Sequence, residues 1–455
     1  MDIHFTRRKA FILLGLLALS GITLQFFRPV LDNQPATAKW VAPPDVKAIF
    51  QRACYDCHSN RTRLAWFDQP VPAYWLVVSD VNKGRAVLNF STFDRLPKAQ
   101  QAAKLYEALN QIEFHTMPLS SYAFLHHGAT LSPGETTTLR QYLLTLAPKV
   151  IPDTAKLRLT LAQFAQWTAS GPAASDAAPA DAPNGIAFHE LADFANWKAM
   201  STTERFDNGT MRLILANPIA EQAIRDGHTH PWPMGATFAK VAWDQLPDPA
   251  GEIHTGAFKQ VEFMIRDQDK YAATDGWGFA RWVGGLAFKP YGKNPGFINE
   301  CTNCHQTMAA DDHVFTFPLA DTLALFDQAT SLPDSLSGHP MAGRVITEFV
   351  NCRDHTMSTL YGNDIGVKSA RSGQAAYPAG STLALVTWSQ RDDPHWFGGR
   401  IPQMFQAVEV LTFGSAATPT YERYEGTPLA KRQPAAADVP GRIAYITAQK
   451  AAVLP

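Results

Sequence analysis

The sequence predicts a multidomain chain: an all-α module first, then two α+β repeats rich in antiparallel strands. Three observations predict it. Residues 43–146 carry apolar side chains at helical spacing, residues 168–185 read "TASGPAASDAAPADAPNG" with no large apolar side chain, and the chain beyond contains one pattern twice. At 455 residues there is room for two to four domains, each with its own core.

The N-terminal 28 residues come first. After Arg7, Arg8 and Lys9 an uncharged stretch runs from Ala10 to Phe27 and is closed by Arg28. Eighteen residues at the helical rise reach about 27 Å, close to a bilayer core. The basic flank stays in the cytoplasm, which puts the rest of the chain outside it, in the periplasm. With no A-x-A cleavage site evident, an uncleaved inner-membrane anchor is expected, with a removed signal peptide as the alternative. Lys plus Arg is 40 against 41 for Asp plus Glu, so no basic field argues for a nucleic-acid partner.

Residues 40–150 form the helical module. Val46, Ile49 and Phe50 lead at helical spacing into "ACYDCHSN", and "LSPGETTTLRQYLLTL" opens with Ser132 as N-cap, Pro133 at the first helical position and Glu135 completing a capping box. The Ala, Pro, Ser and Asp run over 168–185 buries too little to fold and is expected to be a disordered linker.

Beyond it, the pattern "MRLILANPIAEQAIRDG" from Met211 returns as "MSTLYGNDIGVKSARSG" from Met357, and "WPMGATFAKVAW" from Trp232 returns as "YPAGSTLALVTW" from Tyr377. Two copies of one domain, 187–320 and 340–455, are the simplest reading. Along "TFAKVAW" side chains alternate, so Thr237, Ala239, Val241 and Trp243 share one face, and Phe238, Lys240 and Ala242 the other. The second copy keeps the first face as Thr382, Ala384, Val386 and Trp388, and replaces the other with Leu383, Leu385 and Thr387. What both keep is scaffold; what differs reflects what one copy alone does.

The chain has five cysteines. Four of them make Cys54-x-x-Cys57-His58 and Cys301-x-x-Cys304-His305. Cysteines three apart can add to the two vinyl groups of one haem, and the next residue then lies under the iron as proximal ligand. A zinc site or a redox pair would account for the thiols, but not for the histidine after each pair. Two covalently bound haem c groups are expected, and the second copy, which has no such motif, is expected to be haemless. A sixth ligand for the first haem comes from Met117, on a loop after a helix, or from His126 or His127. Glu262 is a candidate proton acceptor, because burial between Val261 and Phe263 would raise its pKa. The second copy keeps Glu409 there, which favours a structural role over that of proton acceptor. Phe238 and Phe263 are candidates for the distal pocket, and Asp311, Asp312 and His313 read as a solvated or hydrogen-bonded turn.

From Phe194 to Phe317, "FANWKAMSTTERFDNGTMRLILAN", "WPMGATFAKVAW", "VEFMIRD", "DGWGF", "CTNCH" and "DDHVFTF" resemble the cytochrome P-460 family. The resemblance implies a β-rich periplasmic haem protein that oxidises hydroxylamine or nitric oxide, or a relative that only binds small gases. It also implies that Lys240 is cross-linked to the haem edge. Pro43 to Leu146, with "ACYDCHSN", "NFSTFDR" and "MPLSSYAFLHHGATLSPGE", resembles the haem-binding domain fused upstream of such proteins, which is similar to a small cytochrome c and implies Met117 opposite His58. The expected function is a membrane-tethered dihaem cytochrome whose second haem acts on a small nitrogen-containing or gaseous ligand while the first relays electrons to a periplasmic partner. A non-catalytic electron carrier or gas-binding protein is the alternative. The haemless copy is expected to stand in for a second subunit, giving a pseudo-dimer within one chain.

Overall fold

In the computed structural model, residues 7–36, 40–170, 179–287, 289–316, 318–319, 339–374, 376–416, 418–426 and 428–454 are described. The chain divides into two compact units, residues 1–147 and 148–455.

The first unit is helical. Helix α1 (Arg7–Leu24) is followed by α2 (Pro44–Ala53), α3 (Tyr55–His58), α4 (Ala73–Val87), α5 (Lys98–Glu113), α6 (Ser120–Leu125) and α7 (Pro133–Leu146). Val46, Ile49 and Phe50 are buried, and Trp40, Phe50, Phe90 and Phe93 pack with ring centroids 5.1–6.0 Å apart. The capping box forms: Glu135 N–H donates to Ser132 Oγ (3.3 Å) and Ser132 N–H to Glu135 Oε2 (2.8 Å). Among the described residues no helix is long and apolar enough to cross a membrane. The uncharged part of α1 ends at Leu24 and spans about 22 Å, and Gln25–Phe27 continues it as a 3-10 turn.

The second unit begins with α8 (Thr154–Ser170), which the sequence reading left unassigned. Its Gln163 amide clamps the backbone of Phe258, accepting from the N–H (2.7 Å) and donating to the carbonyl (3.2 Å). Of the expected linker, residues 168–170 end α8, and Ala180 and Asn184 are tied to Trp282 Nε1 and the Phe279 carbonyl. Residues 171–178 lie outside the described residues.

Each repeat is built in the same order. The first has β1 (Lys198–Arg205), β2 (Thr210–Ala216), α9 (Pro218–Asp226), β3 (Thr237–Pro247), β4 (Glu252–Arg266), β5 (Trp277–Val283), β6 (Lys289–Pro290) and helix α10 (Asn299–His305). The second has β7 (Arg344–Asn351), β8 (Thr356–Gly362), α11 (Asp364–Arg371), β9 (Thr382–Asp392), β10 (Gly399–Thr412), β11 (Thr420–Glu425), β12 (Ala430–Arg432) and α12 (Val439–Thr447). All the pairings are antiparallel. β1-β2-β3-β4-β7-β8-β9-β10 closes on itself through β1–β10, so two equivalent seams, β4–β7 and β1–β10, join the repeats into one barrel. The face kept in both copies lies in one shared core: Ala239, Val241 and Trp243 with Ala384, Val386 and Trp388.

Candidate haem sites

In the first unit α2 ends at Ala53, and the short turn α3 carries Cys57 and His58 against α4. His58 Nδ1 lies 3.0 Å from the Gly84 carbonyl and 3.1 Å from that of Leu88, so the ring donates there and presents Nε2 on its other side. Burial lowers its pKa, which keeps the imidazole neutral. Gly84 is where α4 passes closest: a Cβ there would sit 2.9 Å from the Cys57 carbonyl oxygen and 3.3 Å from His58 Cε1. Met117 follows α5 on a loop, with its N–H donating to the Gln111 carbonyl and the residue 36% exposed. Both ring nitrogens of His126 are engaged, Nδ1 with the Tyr122 carbonyl and Nε2 with Asp68, each at 3.1 Å. Of the three candidates for the sixth position, His126 is therefore the one already committed elsewhere.

The second site is assembled on the face of β3, β4 and β5 that carries Lys240. The pairing aligns Lys240, Glu262 and Arg281 side by side across the three strands. Lys240 Nζ is ion-paired with Glu262, and Arg281 Nε is 2.6 Å from Glu262 Oε1. α10 brings Cys301, Cys304 and His305 over this face, Cys301 packing into the cluster of Phe238, Trp232, Trp277 and Phe279. The charges of Lys240 and Glu262 act on both Cys301 and His305. Lys240, Glu262, Phe238 and the attachment motif are thus brought together.

Two sequence expectations are corrected here. Phe263, next to Glu262 in β4, points to the opposite face, where it packs against Phe194 (5.5 Å) and Trp282 (5.7 Å) in the shared core; strand alternation takes it away from His305. Glu262 does not have the raised pKa expected of a buried proton acceptor. Burial pushes it up, but Lys240, Arg281 and Arg212 together outweigh that and hold it well below the usual carboxylate range. Burial in turn lowers the pKa of Lys240, with Glu262 opposing.

The sequence reading also missed how His305 is held. Its Nδ1 donates to the carbonyl of His313 (2.7 Å), repeating the device at His58, and its ring lies between Phe279 and Phe315, each 5.1 Å away. Burial pushes its pKa down to about 4. Asp312 and His313 take positive φ, 47° and 66°, and Asp312 is fixed by the Trp232 N–H (2.8 Å) and Trp277 Nε1 (3.3 Å). The hydrogen-bonded turn is the form that segment takes.

At both sites a neutral imidazole is oriented by a backbone carbonyl beside a cysteine pair. That donor set fits haem iron, and the apolar rings of Phe238, Trp232, Trp277 and Phe279 suit a macrocycle. The molecule these features define is a haem protein. Residues 19–145 match the family model for a haem-binding domain, and residues 191–316 match that for cytochrome P460. The two matches support a haem cytochrome with a haem-binding domain followed by a cytochrome P460 domain, the latter match falling on the first repeat. No curated protein matches the chain.

Proposed function

We propose that the chain is a periplasmic dihaem c-type cytochrome whose second haem oxidises hydroxylamine, nitric oxide or a similar small nitrogen species. The first haem would be held by Cys54 and Cys57 together with His58 and Met117, the second by Cys301 and Cys304 together with His305. When bound, the second haem supplies an iron that takes the small ligand and accepts its electrons. His305, held neutral and anchored through Nδ1, offers Nε2 to the iron. Glu262, held ionised, orients Lys240 and Arg281 instead of taking protons. When bound beside His58 and Met117, the first haem would supply the electron exit toward a periplasmic partner. The exposed apolar side chains of α1, Phe11 to Ile22, suit an export segment or attachment at the inner membrane. The second repeat stands in for a second subunit, which makes the β unit a pseudo-dimer.

The observation that carries this reading is the Lys240–Glu262–Arg281 row beside His305. The second repeat keeps the last two members as Glu409 and Arg423, paired in register, and has Leu385 where Lys240 stands. Lysine at this position accompanies the attachment motif. The ion pair between Lys240 and Glu262 favours a second reading as well, since a lysine held as an ammonium is not a nucleophile, and an uncross-linked haem would serve gas binding or electron transfer. Peptide mapping of the haem-loaded protein separates the two. A haem peptide containing Cys301 and Cys304 joined to the Lys240 peptide supports the oxidase, and hydroxylamine turnover with an electron acceptor should follow. A free Lys240 peptide supports the carrier.

A further inference from the structure

The loop between β9 and β10 in the haemless repeat spans residues 393–398, six positions, where the equivalent loop in the first repeat, 248–251, has four. Both are closed by the same bond, Asp393 N–H to the Gly399 carbonyl (3.0 Å) and Asp248 N–H to that of Glu252 (2.8 Å). The longer loop carries His395 and Trp396 out to the haem side of the first repeat. His395 Nδ1 donates to the carbonyl of Phe315 at 2.6 Å. Trp396 lies 6.1 Å from the Phe315 ring, donates from Nε1 to Asp207 Oδ2 (3.2 Å), and has the Arg205 guanidinium 4.4 Å above it.

Phe315 stands edge-on to His305, and two residues before it His313 supplies the carbonyl that holds His305. Between the haem helix and Phe315 the backbone passes through two non-glycine residues at positive φ, a conformation that persists only where the surroundings enforce it. Asp312 fixes one end of that segment and His395 the other. The repeats clasp each other reciprocally: Tyr445 on α12 donates to Glu252 of the first repeat, and Trp243 Nε1 to the Val453 carbonyl of the second (2.7 Å).

We propose that the haemless repeat completes the haem site of the first, with His395 and Trp396 as positioning residues that set the His305–His313 hydrogen bond through the Phe315 backbone. This rests on the reading of His305 as the iron ligand. A strong Nδ1–H···O=C bond makes the imidazole a more basic ligand, which favours ferric iron and stiffens the iron–histidine bond. Loosening the anchor does the reverse.

The test uses the full-length haem-loaded protein, with His395→Ala and His395→Gln. Resonance Raman of the reduced protein reads the iron–histidine stretch, and spectroelectrochemistry reads both midpoint potentials, the first haem serving as internal reference. His395→Ala should lower the stretch frequency and raise the potential of the second haem only, and His395→Gln, which keeps a donor, should recover part of both. Unchanged stretch and potential in a His395→Ala protein with parental haem content and circular dichroism would overturn the proposal. If that variant fails to fold, Trp396→Phe, which loses the bond to Asp207, is judged by the same two readouts. A parent protein with no haem on Cys301 and Cys304 would be recognised before any variant is made, and would overturn the ligand reading and the proposal with it.

Discussion

Lys240 and Leu385 occupy the same place in two copies of one strand, each directly across from a glutamate. The second repeat shows that leucine fits this strand where Arg442 supplies the charge on Glu409; in Lys240→Leu, Arg281 and Arg212 remain to hold Glu262. We expect it to leave haem attached through Cys301 and Cys304 and the fold intact. Hydroxylamine oxidation should fall at least tenfold, a loss of about 1.4 kcal/mol or more in transition-state stabilisation. Peptide mapping and steady-state turnover check it, and unchanged turnover would remove Lys240 from the chemistry. At the other site, Gly84→Ala pushes a methyl into the Cys57 carbonyl and the His58 ring. The expected cost is about 1–3 kcal/mol, seen as lower haem occupancy of the first site alone. Glu348, 2% exposed in β7, sits beside Thr202 with no ion pair among the described residues. Burial pushes its carboxyl up to about 8, with Thr202 opposing. The folded protein therefore binds the proton more tightly than the unfolded chain between the ordinary carboxylate range and pH 8, and stability should fall as pH rises through that window. Glu348→Gln should flatten this dependence; denaturation midpoints from pH 5 to 9 test it, and an unchanged slope would contradict it.

At the scale of elements, the repeat is repeated down to single hydrogen bonds. Asn217 caps α9, accepting from Ala220 N–H and Thr237 N–H and donating to the Gly235 carbonyl; Asn363 caps α11, accepting from Gly366 N–H and Thr382 N–H and donating to Gly380. Asn217→Ala and Asn363→Ala should each cost about 1–2 kcal/mol, and by similar amounts, in denaturant unfolding. The asparagine is legible in both copies of the sequence because the cap needs one side chain at one place. Period-two alternation likewise read the Lys240 face correctly. Carried one strand further, the same alternation separates Glu262 from Phe263, which naming both as pocket candidates overlooked. Neither the His313 carbonyl nor Gln163 could be read from pattern, because each acts by reaching backbone far along the chain. The pKa of Glu262 was misread for a related reason: burial was visible in its neighbours, but Arg281 and Arg212 reach it only once β2 to β5 are assembled.

Across the whole molecule, a helix follows the extra strands in both repeats, and its cargo decides what each repeat does. α10 brings the attachment motif over Lys240 and Glu262. α12 brings Arg442, whose guanidinium forks onto Glu409 at 2.9 and 2.6 Å, with Arg423 and Tyr421 on the same carboxylate. Arg442→Ala should destabilise the β unit by on the order of 1–3 kcal/mol, because Glu409 stays buried with fewer donors. A protein side chain thus fills a role in one copy that Lys240 fills beside the haem motif in the other. The proposed function carries a stoichiometry with it. The intact mass of the full chain, produced in cells able to attach haem covalently, tests it most directly. The account predicts the chain plus two haems, mapped to the Cys54–Cys57 and Cys301–Cys304 peptides. A mass corresponding to one haem, to three, or to a chain carrying none would contradict it.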